Sequence, residues 1–225
     1  QSFDERENAT EARGTVISAD GLVVAPLTEV DPTVGFNRLY ASQMGPNDSF
    51  SAKIKELKYI LADNTEVDAE VVLRDGDLDL AFLRPKTKGE RTYAHVDFSK
   101  SAEAGLLDEV FVLGRMTSIG RRNIVAMTGE IQSVIDKPRL FYVPSSELAS
   151  GGLGIPVFGA NGAPVGIMSL RMNATGGDRP ETLPVILPGA EIFESAKQAP
   201  ESAPEEPAAA PAAEAEAAPD AESGG

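Results

Sequence analysis

The sequence has no cysteine, which excludes disulfides, thiolate nucleophiles and cysteine-based zinc sites. It has a single histidine, His95, so a metal centre built on imidazole nitrogens has no second ligand of that kind. No run of about 18 or more apolar residues occurs, so no segment reads as a helix crossing a membrane. Positive charge is scarce. The formal net charge is −15, and the one tight basic pair is Arg121-Arg122, which reads as the solvated end of a hairpin. Nucleic acid and anionic membranes both require clustered Lys and Arg, so neither is expected as a partner, and membrane insertion is not expected either. A Walker loop is missing, because Gly151-Gly152-Leu153-Gly154 lacks the following Lys-Ser/Thr. Asp75, Asp77 and Asp79 alternate as calcium ligands can, but the distal Glu and the spacing of an EF-hand are absent. No cofactor and no metal are therefore expected. The chain begins at Gln1 rather than Met, which fits removal of a secretory signal peptide, and export to a periplasmic or extracellular compartment is the expectation.

What is present is a long series of short apolar runs separated by turn residues. Gly14–Ser18 and Leu22–Ala25 flank Asp20-Gly21, a hairpin signal, and Asp63-Asn64 divides two further runs. Strands are expected at 38–42, 54–61, 67–73, 80–83, 109–113, 123–134 and 140–143, and one short helix at 190–197. Strands at this spacing indicate an all-β fold. Residues 1–12 are polar and charge-mixed and read as an N-terminal arm. Residues 198–225 are almost wholly Ala, Pro, Glu, Ser and Gly, with seven acids and no base. Such a stretch buries too little to offset its ordering entropy, so a disordered acidic tail is expected. Of the net charge of −15, seven negative charges lie in this tail, leaving the remainder acidic at −8.

The densest signal is Ser150-Gly151-Gly152-Leu153-Gly154-Ile155-Pro156, followed by the Asn161-Gly162 turn and Val165-Gly166-Ile167. It resembles the nucleophile loop of HtrA-type (Deg-type) trypsin-like serine peptidases, Gly-x-Ser-Gly-Gly-Pro. Two further stretches resemble the same family without a gap. Ile17-Ser18-Ala19-Asp20-Gly21-Leu22-Val23-Val24-Ala25-Pro26-Leu27-Thr28 stands where the family has its catalytic histidine motif, and Asp75-Gly76-Asp77-Leu78-Asp79-Leu80-Ala81-Phe82-Leu83 where it has its triad carboxylate. Leu107–Gly114 and Val185–Pro188 also match family strands, so the likeness spans residues 13–197.

The resemblance implies a chymotrypsin-like pair of six-stranded antiparallel β-barrels, barrel one at about 13–85 and barrel two at about 99–188, closed by the short C-terminal helix. The acidic tail follows where many relatives carry a PDZ domain. The triad positions are then Thr28, Asp79 and Leu153, a degenerate set in which Asp79 alone keeps the family residue. A serine triad needs an alcohol, an imidazole and a carboxylate. Leucine has no lone pair to attack with, and a threonine hydroxyl is no general base at neutral pH. The expectation is a catalytically inactive homologue whose oxyanion loop, Gly151, Gly152 and Leu153, survives without a nucleophile. Leu153 is expected to be buried in the space left by the missing serine. The function implied is that of a peptide- or protein-binding or scaffold module. A partner would sit in the cleft or at barrel edges, and homo- or hetero-oligomers with HtrA-like subunits are possible by the same resemblance. The alternative is an active serine endopeptidase in a shifted register, with Ser150 as nucleophile. Against it, no histidine lies near Thr28, His95 falls past the carboxylate, and Lys137 precedes Ser150 by a whole strand.

Overall fold

The computed structural model describes residues 9–40, 50, 54–173 and 181–203. Two antiparallel β units lie one after the other along the chain. The first comprises β1 (Thr15–Val16), β2 (Val23–Pro26), β3 (Lys58–Ile60), β4 (Glu66–Asp75) and β5 (Leu80–Pro85), in the spatial order β1-β2-β5-β4-β3. The second comprises β6 (Glu109–Arg115), β7 (Ile124–Ile135), β8 (Phe141–Pro144), β9 (Pro156–Gly159), β10 (Pro164–Asn173) and β11 (Glu181–Pro188). These six close into a barrel in the order β10-β11-β8-β7-β6-β9. The arrangement is the trypsin-like double barrel, with barrel one open and five-stranded among the described residues.

The turns explain the register. Gly21 turns the β1–β2 hairpin with φ +92°, Asn64 turns β3 into β4 with φ 61°, and Gly162 turns β9 into β10 with φ +79°. Gly, and less readily Asn, reach this left-handed region at little cost. The strands at the centre of barrel one are apolar over Val23–Pro26 and 80–83 because there they have a core on both faces. Along β2 and β5, Val24, Leu80 and Phe82 face barrel two, where they meet Phe141, Ile167, Val185, Leu187 and Ile192. Their neighbours Val23, Ala25, Ala81 and Leu83 fill the interior of barrel one. Barrel two has its own interior around Val112, Ile131, Tyr142, Val157 and Met168. The C-terminal helix α4 (Gly189–Ala196) places Ile192 in the layer between the barrels.

Helices occupy places where strands or loops were expected. α1 (Leu27–Val30) follows β2 directly, and α2 (Pro32–Tyr40) replaces the strand expected at 38–42, of which residues 41 and 42 lie outside the described residues. Asp31 and Pro32 account for the difference. The Asp31 carboxylate accepts the Thr33 N–H at 3.1 Å as a helix cap. Pro32 takes the first helical position, where its fixed φ is favourable. Past α4, the first residues of the expected tail rest on barrel one: Arg84 Nε donates to the Pro200 carbonyl at 3.0 Å and the Ala203 N–H to Glu70 at 2.9 Å. The rest of that tail, 204–225, lies outside the described residues, as does most of the N-terminal arm, 1–8.

Candidate functional site

The turn between β4 and β5 sorts its three acids. Asp75 Oδ1 accepts the N–H groups of Asp77 and Leu78 at 3.1 and 3.0 Å, so this carboxylate shapes the turn. Asp77 gives its carbonyl to Arg171. Asp79 is the buried one, 1% exposed, in the left-handed conformation at φ 59°. Its carbonyl accepts the Leu27 N–H at 2.8 Å, which ties the start of β5 to the start of α1 and sets Thr28 over the carboxylate.

Thr28 and Asp79, 51 residues apart, are thereby brought together. The Thr28 N–H donates to Asp79 Oδ1 at 3.1 Å and its hydroxyl to Oδ2 at 2.9 Å. From α2, Arg38 Nη1 lies 3.3 Å from Oδ1, while its Nη2 donates to the Gly76 carbonyl. α2 can approach this closely because Gly35 faces Thr28, where a Cβ would meet the threonine methyl at 3.3 Å. Burial raises the Asp79 pKa above the ordinary carboxylate value, against the opposing pull of the Thr28 and Arg38 contacts. Beside it, burial also raises Glu29, whose carboxylate takes the Arg13 N–H at 3.4 Å.

On the barrel-two side, α3 (Ser146–Ala149) leads into the glycine loop. Ser150 ends this helix, and its exposed hydroxyl donates to the Glu147 carbonyl at 2.6 Å. The Gly151 N–H donates to the Leu148 carbonyl at 2.9 Å, so this amide of the expected oxyanion loop is already used inside the turn. The Gly151 carbonyl accepts Arg13 Nη1 at 2.7 Å, and the Gly154 carbonyl accepts the Thr15 hydroxyl at 2.8 Å. Gly152 and Gly154 have φ of +93° and +75°, and a Cβ on Gly154 would come within 2.0 Å of the Arg13 carbonyl. Only glycine fits there. Leu153, between them, is half-buried rather than buried. Ile155, two residues on, is the one that enters the barrel-two core.

His95 is exposed in the segment between the barrels, its Nδ1 3.2 Å from the Tyr93 carbonyl. Lys137 is exposed between β7 and β8. Among the described residues no group of three His, Asp or Glu side chains is placed to hold a metal ion. Arg13, Glu29 and Arg38 complete the site, and sequence patterns do not single them out. The Asp31-Pro32 pair was the one available signal for the helix that carries Arg38.

The sequence over residues 12–167 matches the family described as trypsin-like peptidase domain. No curated protein sequence matches the chain. Among solved structures, the crystal structure of the MamO protease domain from Magnetospirillum magneticum, in its apo form, is similar in fold. Its TM-score is 0.53 at 18% identity, over 80% of this chain and 85% of that one. A family match across more than half of the chain agrees with the closed six-stranded barrel, the sheet packed against it and the carboxylate turn between β4 and β5. The chain belongs to the trypsin-like peptidase domain family.

Proposed function

We propose that this chain is a non-hydrolytic member of its family that holds an extended peptide or protein segment at the junction of the two barrels. The observation that carries this reading is the company of Asp79, a threonine hydroxyl and amide with an arginine guanidinium. None of these can take a proton from an attacking alcohol at neutral pH. The binding role is supported by the strand pairing: β10 pairs with β11 from Gly166 to Asn173, whereas β9 accompanies it only as far as Ile167. The open edge of β10 beyond Met168 can accept an added strand, main chain to main chain.

The test is labelling with a fluorophosphonate probe alongside incubation with an unfolded protein substrate. The wild-type chain should neither be labelled nor cleave. Labelling that disappears in Ser150→Ala would overturn the reading and establish Ser150 as a nucleophile.

A further inference from the structure

The hairpin of β6 and β7 differs from the rest of the molecule in both charge and exposure. From Val110 to Gly129 there is no acidic residue in a chain with 35 of them, but there are three arginines, Arg115, Arg121 and Arg122. β9 accompanies β6 only through Val112, and β8 joins β7 only from Ile131. Leu113–Arg115 and Ile124–Ala126 therefore pair only with each other, as a ribbon. Its end exposes Leu113, Met116, Ile124 and, at 95%, Ile119. A cluster of exposed apolar side chains flanked by arginines marks a contact surface.

One acidic side chain is already seated on it. Glu11 accepts the Ser118 N–H at 3.1 Å and pairs with Arg122 at 3.2 Å, and these contacts lower its pKa. Glu11 belongs to an extended segment whose alternate residues all reach barrel two. Thr15 bonds the Gly154 carbonyl, Arg13 the Gly151 carbonyl, and Glu11 the ribbon end. A period of two is that of an extended chain. In the sequence, Phe3, Glu5 and Glu7 stand at even separations from Glu11, whereas Arg6, the one base of the arm before Arg13, stands at an odd one.

We infer that the N-terminal arm of the same chain, residues 3–7, covers the end of the β6–β7 ribbon. Glu5 and Glu7 pair with Arg115 and Arg121, and Phe3, the only large apolar residue of the arm, covers Ile119. The charges match in sign, the occupant is joined to a residue already in place, and attachment at Glu11 gives it an effective concentration that a separate chain lacks. The arm then links the ribbon end to the glycine loop, since Glu11 and Arg13 are two residues apart.

The absence of cysteine makes the experiment clean, because a nitroxide on Ser2→Cys in the full chain is the only label. Amide signals of Thr117–Arg122 should lose most of their intensity relative to the diamagnetic control. The loss should disappear in high salt and in Glu5→Lys/Glu7→Lys, and return when Arg115→Glu/Arg121→Glu is added. Unchanged signals elsewhere in barrel two report that each variant is folded, and the milder Glu5→Gln/Glu7→Gln serves if the reversal disturbs it. Intensities equal to the control, or a loss that survives charge reversal, would overturn the inference. So would a loss seen only when the nitroxide and the observed amides are on different molecules, which would assign the surface to a second copy.

Discussion

Asp79 is the residue at which β5, α1 and α2 are tied together. Its carboxylate satisfies the Thr28 N–H and hydroxyl and the Arg38 guanidinium in a buried place. Removing it in Asp79→Ala leaves those donors unpaired, and the expected loss is about 2 to 4 kcal/mol of unfolding free energy by denaturant titration. The pH dependence has the opposite sign from that of an ordinary salt-bridged acid. The folded-state pKa values of Asp79 and Glu29 are raised above their ordinary values of 3.8 and 4.5, so the folded chain holds these protons to higher pH than the unfolded one. Stability contributed by the protonated forms is therefore lost as pH rises from those ordinary values through the raised folded ones. Thermal unfolding of Glu29→Gln should accordingly gain on the wild type across that window, and the gap should close at more acid pH. Leu153→Ser, at a half-buried position, should cost about 1 kcal/mol, below the range of fully buried leucines.

At the scale of elements, α2 and the glycine loop decide what the cleft contains. α2 stands where a strand was expected, and it carries Arg38 to Asp79 and Gly35 to Thr28. Its cap is one carboxylate, so Asp31→Ala should cost about 1 kcal/mol in chemical denaturation and loosen the Arg38 contact. The glycine loop tolerates less. Gly154→Ala combines a positive φ with a Cβ driven into the Arg13 carbonyl, which must separate the loop from the segment carrying Arg13 and Thr15. Hydrogen exchange of the Gly154 amide, bonded to the Met168 carbonyl at 2.8 Å, should become faster in that variant.

Across the whole molecule, a continuous apolar layer joins the barrels, and the C-terminal segment reinforces it. Ala199 packs on that layer, and Pro200 and Ala203 are bonded to barrel one. Ending the chain after Ala203 should leave the melting temperature within a degree or two, whereas ending it after Lys197 should lower it measurably. The sequence by itself determined most of the strands, their turns and the family, because apolar runs bounded by Asp-Gly, Asp-Asn and Asn-Gly turns are local signals. It also placed Thr28 and Asp79 in one site, through motifs whose spacing needs no gap. Tertiary structure alone decided the rest. Whether 38–40 lies in a strand or in a helix, whether Leu153 or Ile155 fills the core, and which cation reaches Asp79 all depend on packing between segments distant in sequence. Arg13 is the clearest case. Its bond to Gly151 spans 138 positions and exists because β1 runs beside the glycine loop, a neighbourhood that no local pattern of residues encodes.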